Sequence, residues 1–179
     1  MHIRLSGMDA AGFACQLVDN ILGGNAFAVG AWCDISKPAQ FFLKSWQPDR
    51  CGFNDVRDLR SGCSVAHCVV HGIACPVPKP DFLIGSPECK DWSLFGRRRK
   101  FCGPGWESDS AWLDEIESRK PPVFVEENVP AKSDERLKAR LAALYIIHVF
   151  TLDGVEECGA RRHRQFILGR TNLSFFHTF

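Results

Sequence analysis

Short apolar runs ending in turn residues alternate with amphipathic segments along this chain, which restricts it to a layered α/β architecture with a mostly parallel sheet flanked by helices. The run that anchors the reading is residues 82–84, Phe-Leu-Ile, which is bounded by polar residues and reads as a buried strand. It breaks at Gly85-Ser86-Pro87, and Cys89 follows two residues later, with Trp92, Ser93 and Gly96 beyond it. Open α/β sheets bind ligands beyond the carboxyl ends of their strands, and Cys89 stands at such an end. Its other reading is a small buried hydrophobe, which most free cysteines are.

Residues 3–5 predict a first strand, followed by a Gly-containing turn (Ser6 to Gly12) and a helix through Phe13, Leu17 and Leu22. Strand, glycine turn and helix together receive a nucleotide-type cofactor, because Gly7 lets backbone approach the ligand closely. The full GxGxxG spacing is absent. A second strand over 26–32 ends at Cys33-Asp34, where a carboxylate is placed to accept hydrogen bonds from ribose hydroxyls. Asp34 can instead cap a helix over 37–46, a position for which Ser36 competes. Asp55, in Asn54-Asp55-Val56, offers another carboxylate after the next strand.

The second half continues the pattern. A Gly/Pro-rich loop carrying Arg97-Arg98-Arg99-Lys100 leads to a helix over 108–118, with Trp112, Leu113 and Ile116 on one face. A strand over 123–125 ends in Glu126-Glu127-Asn128-Val129-Pro130. A helix over 133–145 starts at Ser133 or Asp134 and turns Leu137, Leu141 and Leu144 inward. Strands over 146–152 and 165–169 close the pattern, with Arg162 and Arg164 just before the last.

At 179 residues the chain suits a single domain, and its formal net charge of +1 neither demands nor excludes a nucleic-acid partner. The basic runs 97–100 and 161–164 read either as solvated surface or as polyanion contacts. No segment has the apolar length of a membrane span and the N-terminus lacks a signal-peptide pattern, so no membrane partner is expected. Nine cysteines, an odd number in a chain without a secretory leader, point to a reducing, cytoplasmic location. Five of the potential zinc ligands, Cys63, His67, Cys68, His71 and Cys75, fall within thirteen residues. Their spacings do not match paired CxxC halves, so the expectation is a cysteine-rich core or surface helix, with no metal ligand assigned.

Read together, the pieces resemble the catalytic core of a DNA (cytosine-5) methyltransferase, in a form common among bacteriophage enzymes. LSGMDAAG is similar to the family's FxGxGG turn, CDIS carries its ribose-binding acid at Asp34, and NDVRDL carries its adenine contact at Asp55. GSPECKDWS resembles GGPPCQxFS, EENV carries the ENV signature, and RRHRQFILG resembles QxRxRxxxxG. The resemblance implies a Rossmann-like S-adenosylmethionine-dependent methyltransferase fold, with a cofactor half over about 1–75 and a catalytic half over about 76–179. It implies catalytic roles for Cys89, Glu127, Arg162 and Arg164. The S-adenosylmethionine pocket would comprise Leu5, Ser6, Gly7, Met8, Asp9, Asp34, Ile35, Asp55, Val56 and Pro87. DNA would meet Ser93, Arg97, Arg98, Arg99 and Lys100. The setting implied is a restriction-modification system in a bacterial or phage-infected cell.

The chemistry accounts for these residue types. C5 of cytosine is a poor nucleophile, so a thiolate first adds to C6, dividing one hard step into easier ones. Cys89 gains from a cation such as Arg164 or Lys90 that favours its thiolate. Glu127, kept protonated by a dry pocket, would promote that attack at N3 and the exocyclic amine. The family flips its target base from the duplex at a cost of a few kcal/mol, which phosphate contacts by residues 97–100 can help offset.

Departures from the family pattern are equally legible. Glu88 stands where the residue before the nucleophile is normally Pro, and disfavours a neighbouring thiolate unless Lys90 or an arginine compensates. Lys90 replaces the family glutamine, Ala160 replaces the glutamine of QxRxR, and only ten residues follow Gly169. The resemblance therefore implies either loose sequence specificity or a target-recognition function supplied by a protein partner. Three other readings stand beside the DNA enzyme: a non-catalytic homologue or split-enzyme subunit, an RNA cytosine-5 methyltransferase, and a zinc or redox module.

Overall fold

Leu83, fully buried, occupies an interior strand of a five-stranded mixed sheet. The computed structural model describes residues 2–4, 10–24, 27–93, 96, 98–103, 105–154 and 162–172. The strands are β1 (His2–Arg4), β2 (Ala31–Cys33), β3 (Cys51–Phe53), β4 (Val65–His67), β5 (Ala74–Pro76), β6 (Phe82–Gly85), β7 (Val123–Asn128), β8 (Tyr145–Asp153) and β9 (His163–Thr171). The helices are α1 (Ala10–Leu22), α2 (Lys37–Trp46), α3 (Gly105–Arg119) and α4 (Glu135–Leu141), with short 3₁₀ helices at Val56–Gly62 and Lys100–Cys102.

The main sheet has the order β1-β6-β7-β9-β8. β6 pairs in parallel with both β1 and β7, and β9 is antiparallel to both β7 and β8. β2 lies beside β1 and pairs in parallel with β3. The chain leaves β1 toward β2 on one side and β6 toward β7 on the other, so the strand order reverses between β1 and β6. β4 and β5 form a separate antiparallel hairpin.

Two apolar clusters hold these layers together, and α3 serves both. Ala111 packs with Ala31, Cys33, Phe53 and Leu59, whereas Trp112, Leu113 and Ile116 pack with Leu83, Phe124, Leu141 and Ile167. Gly85 is needed for that packing, because a Cβ there would lie 2.5 Å from the Trp112 ring. No helix among the described residues is long and apolar enough to cross a membrane.

Several elements differ from their sequence expectation. The second strand is confined to Ala31–Cys33, because the Phe27 N–H donates to the Asp19 carboxylate (3.0 and 3.2 Å) instead of a sheet partner. α3 begins earlier, at Gly105, whose N–H is taken by the buried Asp91 carboxylate at 2.9 Å. α4 stops at Leu141 because Tyr145 already belongs to β8, with its hydroxyl donating to the Pro121 carbonyl at 3.0 Å. Residues 63–75 form the β4–β5 hairpin and its flanks, not a helix. Arg164 lies inside β9, not before it.

Candidate active site

Each carboxylate at a strand end is fixed locally before it can meet a ligand. Asp34 follows β2, is buried, and accepts the Ser36 N–H at 2.8 Å, an Asx-type turn into α2. Ser36 holds the N-cap position without a side-chain capping bond. Asp55 follows β3 and accepts the Arg57 N–H at 2.9 Å, opening the first 3₁₀ helix. The Arg57 guanidinium also donates to both Asp55 oxygens (2.6–3.0 Å) and reaches Glu107 at 2.8 Å. Burial alone would raise the Asp55 pKa, but the Arg57 bonds and charge outweigh it and hold the carboxyl below its usual range.

These acids meet the cysteine loop in one cleft of about 610 Å³, lined by Asp34, Ile35, Ser36, Asp55 and Arg57 on one side and residues 86–91 with Gly105 and Ser108 on the other. Ile35 is 56% exposed, an apolar side chain standing open at this wall. Cys89 is half-buried, and its carbonyl accepts the N–H groups of Trp92 (3.0 Å) and Ser93 (2.9 Å), so the loop turns directly after it. Asp91 also borders the cleft, with Oδ1 buried and lacking a hydrogen-bond partner among the described residues.

β7 lies next to the cysteine loop, behind the residues that line the cleft. Its two glutamates part company because successive strand residues face opposite sides. Glu126 enters the core, where it accepts from Trp112 Nε1 (2.9 Å) and Lys132 Nζ (2.6 Å). Glu127 turns the other way: Oε2 accepts the Ser86 hydroxyl at 2.6 Å and Oε1 lies 2.6 Å from Arg164 Nε. Asn128 is buried and donates from Nδ2 to the Pro87 carbonyl at 3.1 Å, tying the end of β7 to the cysteine loop.

The structure thus joins Asp34, Ile35, Asp55, Pro87 and Cys89 at one cleft, and joins Glu127 to that loop through Ser86. Val56 is buried in the adjacent core instead of lining the cleft, because its side chain packs with Leu59 and Ala111. Among the described residues, Arg164 but not Arg162 is joined to Glu127; Arg162 is exposed, and its carbonyl accepts the Gly154 N–H at 3.3 Å. The dry pocket expected around Glu127 is replaced by an ion pair whose carboxylate side chain is 28% exposed. The cations expected beside Cys89 pair with carboxylates: Arg164 with Glu127, and Lys90 with Glu88 at 3.4 Å. Ser93 is half-buried at the turn, and Arg98, Arg99 and Lys100 are exposed beyond it. Leu5, Ser6, Gly7, Met8, Asp9 and Arg97 lie outside the described residues.

Sequence reasoning passed over Ser86, Asn128, Arg57 and Asp91. Asn128 had a signal, since it sits inside the ENV motif, but its bond to Pro87 spans 41 positions.

The strand order, with one antiparallel strand inserted beside β7, defines the Rossmann-like fold of S-adenosylmethionine-dependent methyltransferases, and solved structures bear this out. One is described as a DNA modification methyltransferase encoded within an E. coli prophage (TM-score 0.65, 15% identity, covering 95% of this chain and 46% of that one). Another is the S. pombe Dnmt2 methyltransferase (TM-score 0.69, 16% identity, covering 96% and 51%). A third is a mutant of Spodoptera frugiperda DNMT2 (TM-score 0.65, 19% identity, covering 99% and 52%). The chain spans about half the length of these structures. No family model matches the sequence, and no curated protein matches it.

Proposed function

We propose that this chain is the catalytic core of an S-adenosylmethionine-dependent methyltransferase acting on C5 of cytosine in DNA. The observation that carries the reading is the single cleft in which Asp34 and Asp55 face the Cys89 loop. The donor set fits the cofactor: Asp34 offers a carboxylate to ribose hydroxyls, and Ile35 offers an apolar surface to a purine ring. When bound, S-adenosylmethionine supplies an electrophilic methyl group.

The protein's own groups do the rest. The Cys89 thiolate adds to C6 of a flipped cytosine, and the electron pair moves toward N3 and C5. Glu127, held between Ser86 and Arg164, is the group that would meet N3 and the exocyclic amine. After methylation a base, such as solvent water, takes the proton from C5, its electron pair re-forms the C5=C6 bond, and the Cys89–C6 pair leaves with sulfur as the thiolate. Ser93 and the exposed cations at 98–100 are assigned to the DNA backbone, together with Arg97.

Covalent trapping tests this directly. Duplex DNA carrying 5-fluorocytosine cannot lose a proton from C5, so an active enzyme stays bonded to it. Wild type with S-adenosylmethionine should give an adduct that survives denaturing gels, and Cys89→Ala should give none. Absence of an adduct from folded wild-type protein that still binds cofactor would reject the catalytic assignment; the same adduct on a single RNA strand alone would move the substrate to RNA.

One observation favours a non-catalytic homologue that binds DNA without the cofactor: both Asp55 oxygens are already engaged by Arg57, at the position assigned to the adenine contact. Calorimetric titration with S-adenosylmethionine separates the two, since a chain whose pocket is closed by Arg57 will show no heat of binding until Arg57→Ala opens it.

A further inference from the structure

Away from the cleft, four metal-ligating side chains from three segments converge. Cys51 opens β3, Cys68 directly follows β4, Cys75 lies within β5, and His71 sits in the turn of that hairpin. One donor atom from each lies within 4.8 Å of all the others. His71 Nδ1 stands 3.3 Å from Cys75 Sγ, 3.4 Å from Cys68 Sγ and 3.8 Å from Cys51 Sγ. A tetrahedral ion with sulfur at about 2.3 Å and imidazole nitrogen at about 2.0 Å spaces those donors about 3.5 Å apart. The set is sized for one ion and is too compact for an iron–sulfur cluster, which holds its cysteines around several irons.

We propose that Cys51, Cys68, His71 and Cys75 bind a single zinc ion as a closed structural site. Three thiolates and one imidazole match the donor preference of zinc, and four protein ligands leave no open position for catalysis. The surrounding backbone supports this arrangement. The Gly52 N–H donates to Cys68 Sγ at 3.4 Å, a contact that favours thiolate sulfur. The Val69 N–H donates to the Gly52 carbonyl at 2.8 Å, and Phe53 bridges to Cys68, so β3 and the hairpin are already in register. Gly72, at φ +71°, supplies the left-handed residue that lets the turn bring His71 back toward the sulfurs.

This set differs from the one suggested by sequence spacing. Cys63 faces elsewhere, with its thiol 3.4 Å from the Asp58 carbonyl, and His67 is exposed on β4. Cys51 replaces them, brought in because β3 bridges to the hairpin across fifteen positions of sequence, from Phe53 to Cys68. The ion would clamp the hairpin to β3, the strand that leads into Asp55. It would do so whether or not the chain is a methyltransferase.

The test uses the whole chain, expressed with added zinc and purified without chelator. Atomic emission should give about one zinc per chain, and cobalt exchanged for it should show the intense visible absorption of a tetrahedral sulfur-ligated site. His71→Ala, at an exposed position that should leave the fold intact, should weaken zinc at least tenfold, and Cys75→Ser should abolish the cobalt spectrum. Cys102→Ser, outside the set, should change neither. Folded wild type without zinc and without a tetrahedral cobalt spectrum overturns the proposal. A disulfide among these cysteines in freshly purified protein overturns it too, as does full zinc retention in both ligand variants.

Discussion

Arg164 Nε lies 2.6 Å from Oε1 of Glu127, and the opposite oxygen of the same carboxylate takes the Ser86 hydroxyl. Three elements meet in that contact: the end of β7, the interior of β9 and the loop that follows β6. A carboxylate gripped from two sides is oriented before any base arrives, which is what positioning catalysis requires. Glu127→Gln should therefore slow adduct formation with 5-fluorocytosine DNA by roughly 10²- to 10⁴-fold, the range for loss of a general acid–base group. Arg164→Ala should slow it through the same residue, so the double variant should be no slower than the worse single one. Single-turnover rates for the three proteins check this.

Asn128 acts on the Cys89 loop through backbone. Its amide holds the Pro87 carbonyl while its own oxygen takes the Val129 N–H at 2.9 Å. Asn128→Ala removes both bonds from a buried site and should cost about 1–3 kcal/mol of stability. Urea denaturation measures that loss, and the rate of Cys89 alkylation should change with it because the loop loses its tether.

Asp55 gives the chain an acid-sensitive element. Its folded pKa lies below the unfolded value, so the stability it contributes is present above about pH 4 and is lost as pH falls through the folded pKa. Asp55→Asn should flatten the dependence of stability on pH in that acid window and leave the neutral-to-alkaline limb unchanged. Denaturation curves of both proteins between pH 3 and about pH 7 test it.

Lys132 is the buried counterpart. Its ammonium lies between Glu126 (2.6 Å) and Asp109. Burial pulls its pKa down, but the two carboxylates outweigh burial and hold it above the usual lysine range. Burial also pushes Glu126 upward more strongly than Lys132 and Trp112 draw it down. Two anions share this one cation, so the lysine stays charged and the pair's contribution follows Lys132. Raised above its unfolded value, Lys132 contributes stability that is full below about pH 10.4 and lost above its folded pKa. Lys132→Met, which strands Glu126 in the core, should cost about 3–5 kcal/mol, and the double variant with Glu126→Gln should recover part of it. Chemical denaturation of the single and double variants decides.

Much of the scaffold was legible in residues alone. The apolar run at 82–84, the Gly85-Ser86-Pro87 break after it and the periodic Trp112, Leu113 and Ile116 each reported their element, because side-chain period and turn chemistry are local properties. Lengths were less legible. The second strand lost residues 27–30 to the Asp19 carboxylate, and α4 yielded its last turn to the packing of Tyr145 against Phe124. Those competitors lie far along the chain or in another layer.

By itself the sequence determined that Asp34, Asp55 and Cys89 would follow strands, because each comes shortly after an apolar run, whereas Glu127, expected just past a strand over 123–125, lies inside the longer β7. Parallel strands then carry such residues to one edge of the sheet. Only tertiary structure decided which of Glu126 and Glu127 faces the core and which meets Ser86 and Arg164. Alternation puts the two on opposite sides of β7, but it is Trp112 and Lys132, packed beneath the sheet, that make one of those sides the interior. The Cys51 contribution to the Cys68–Cys75 cluster has the same origin: it depends on β3 pairing with the hairpin, a contact that no local spacing encodes.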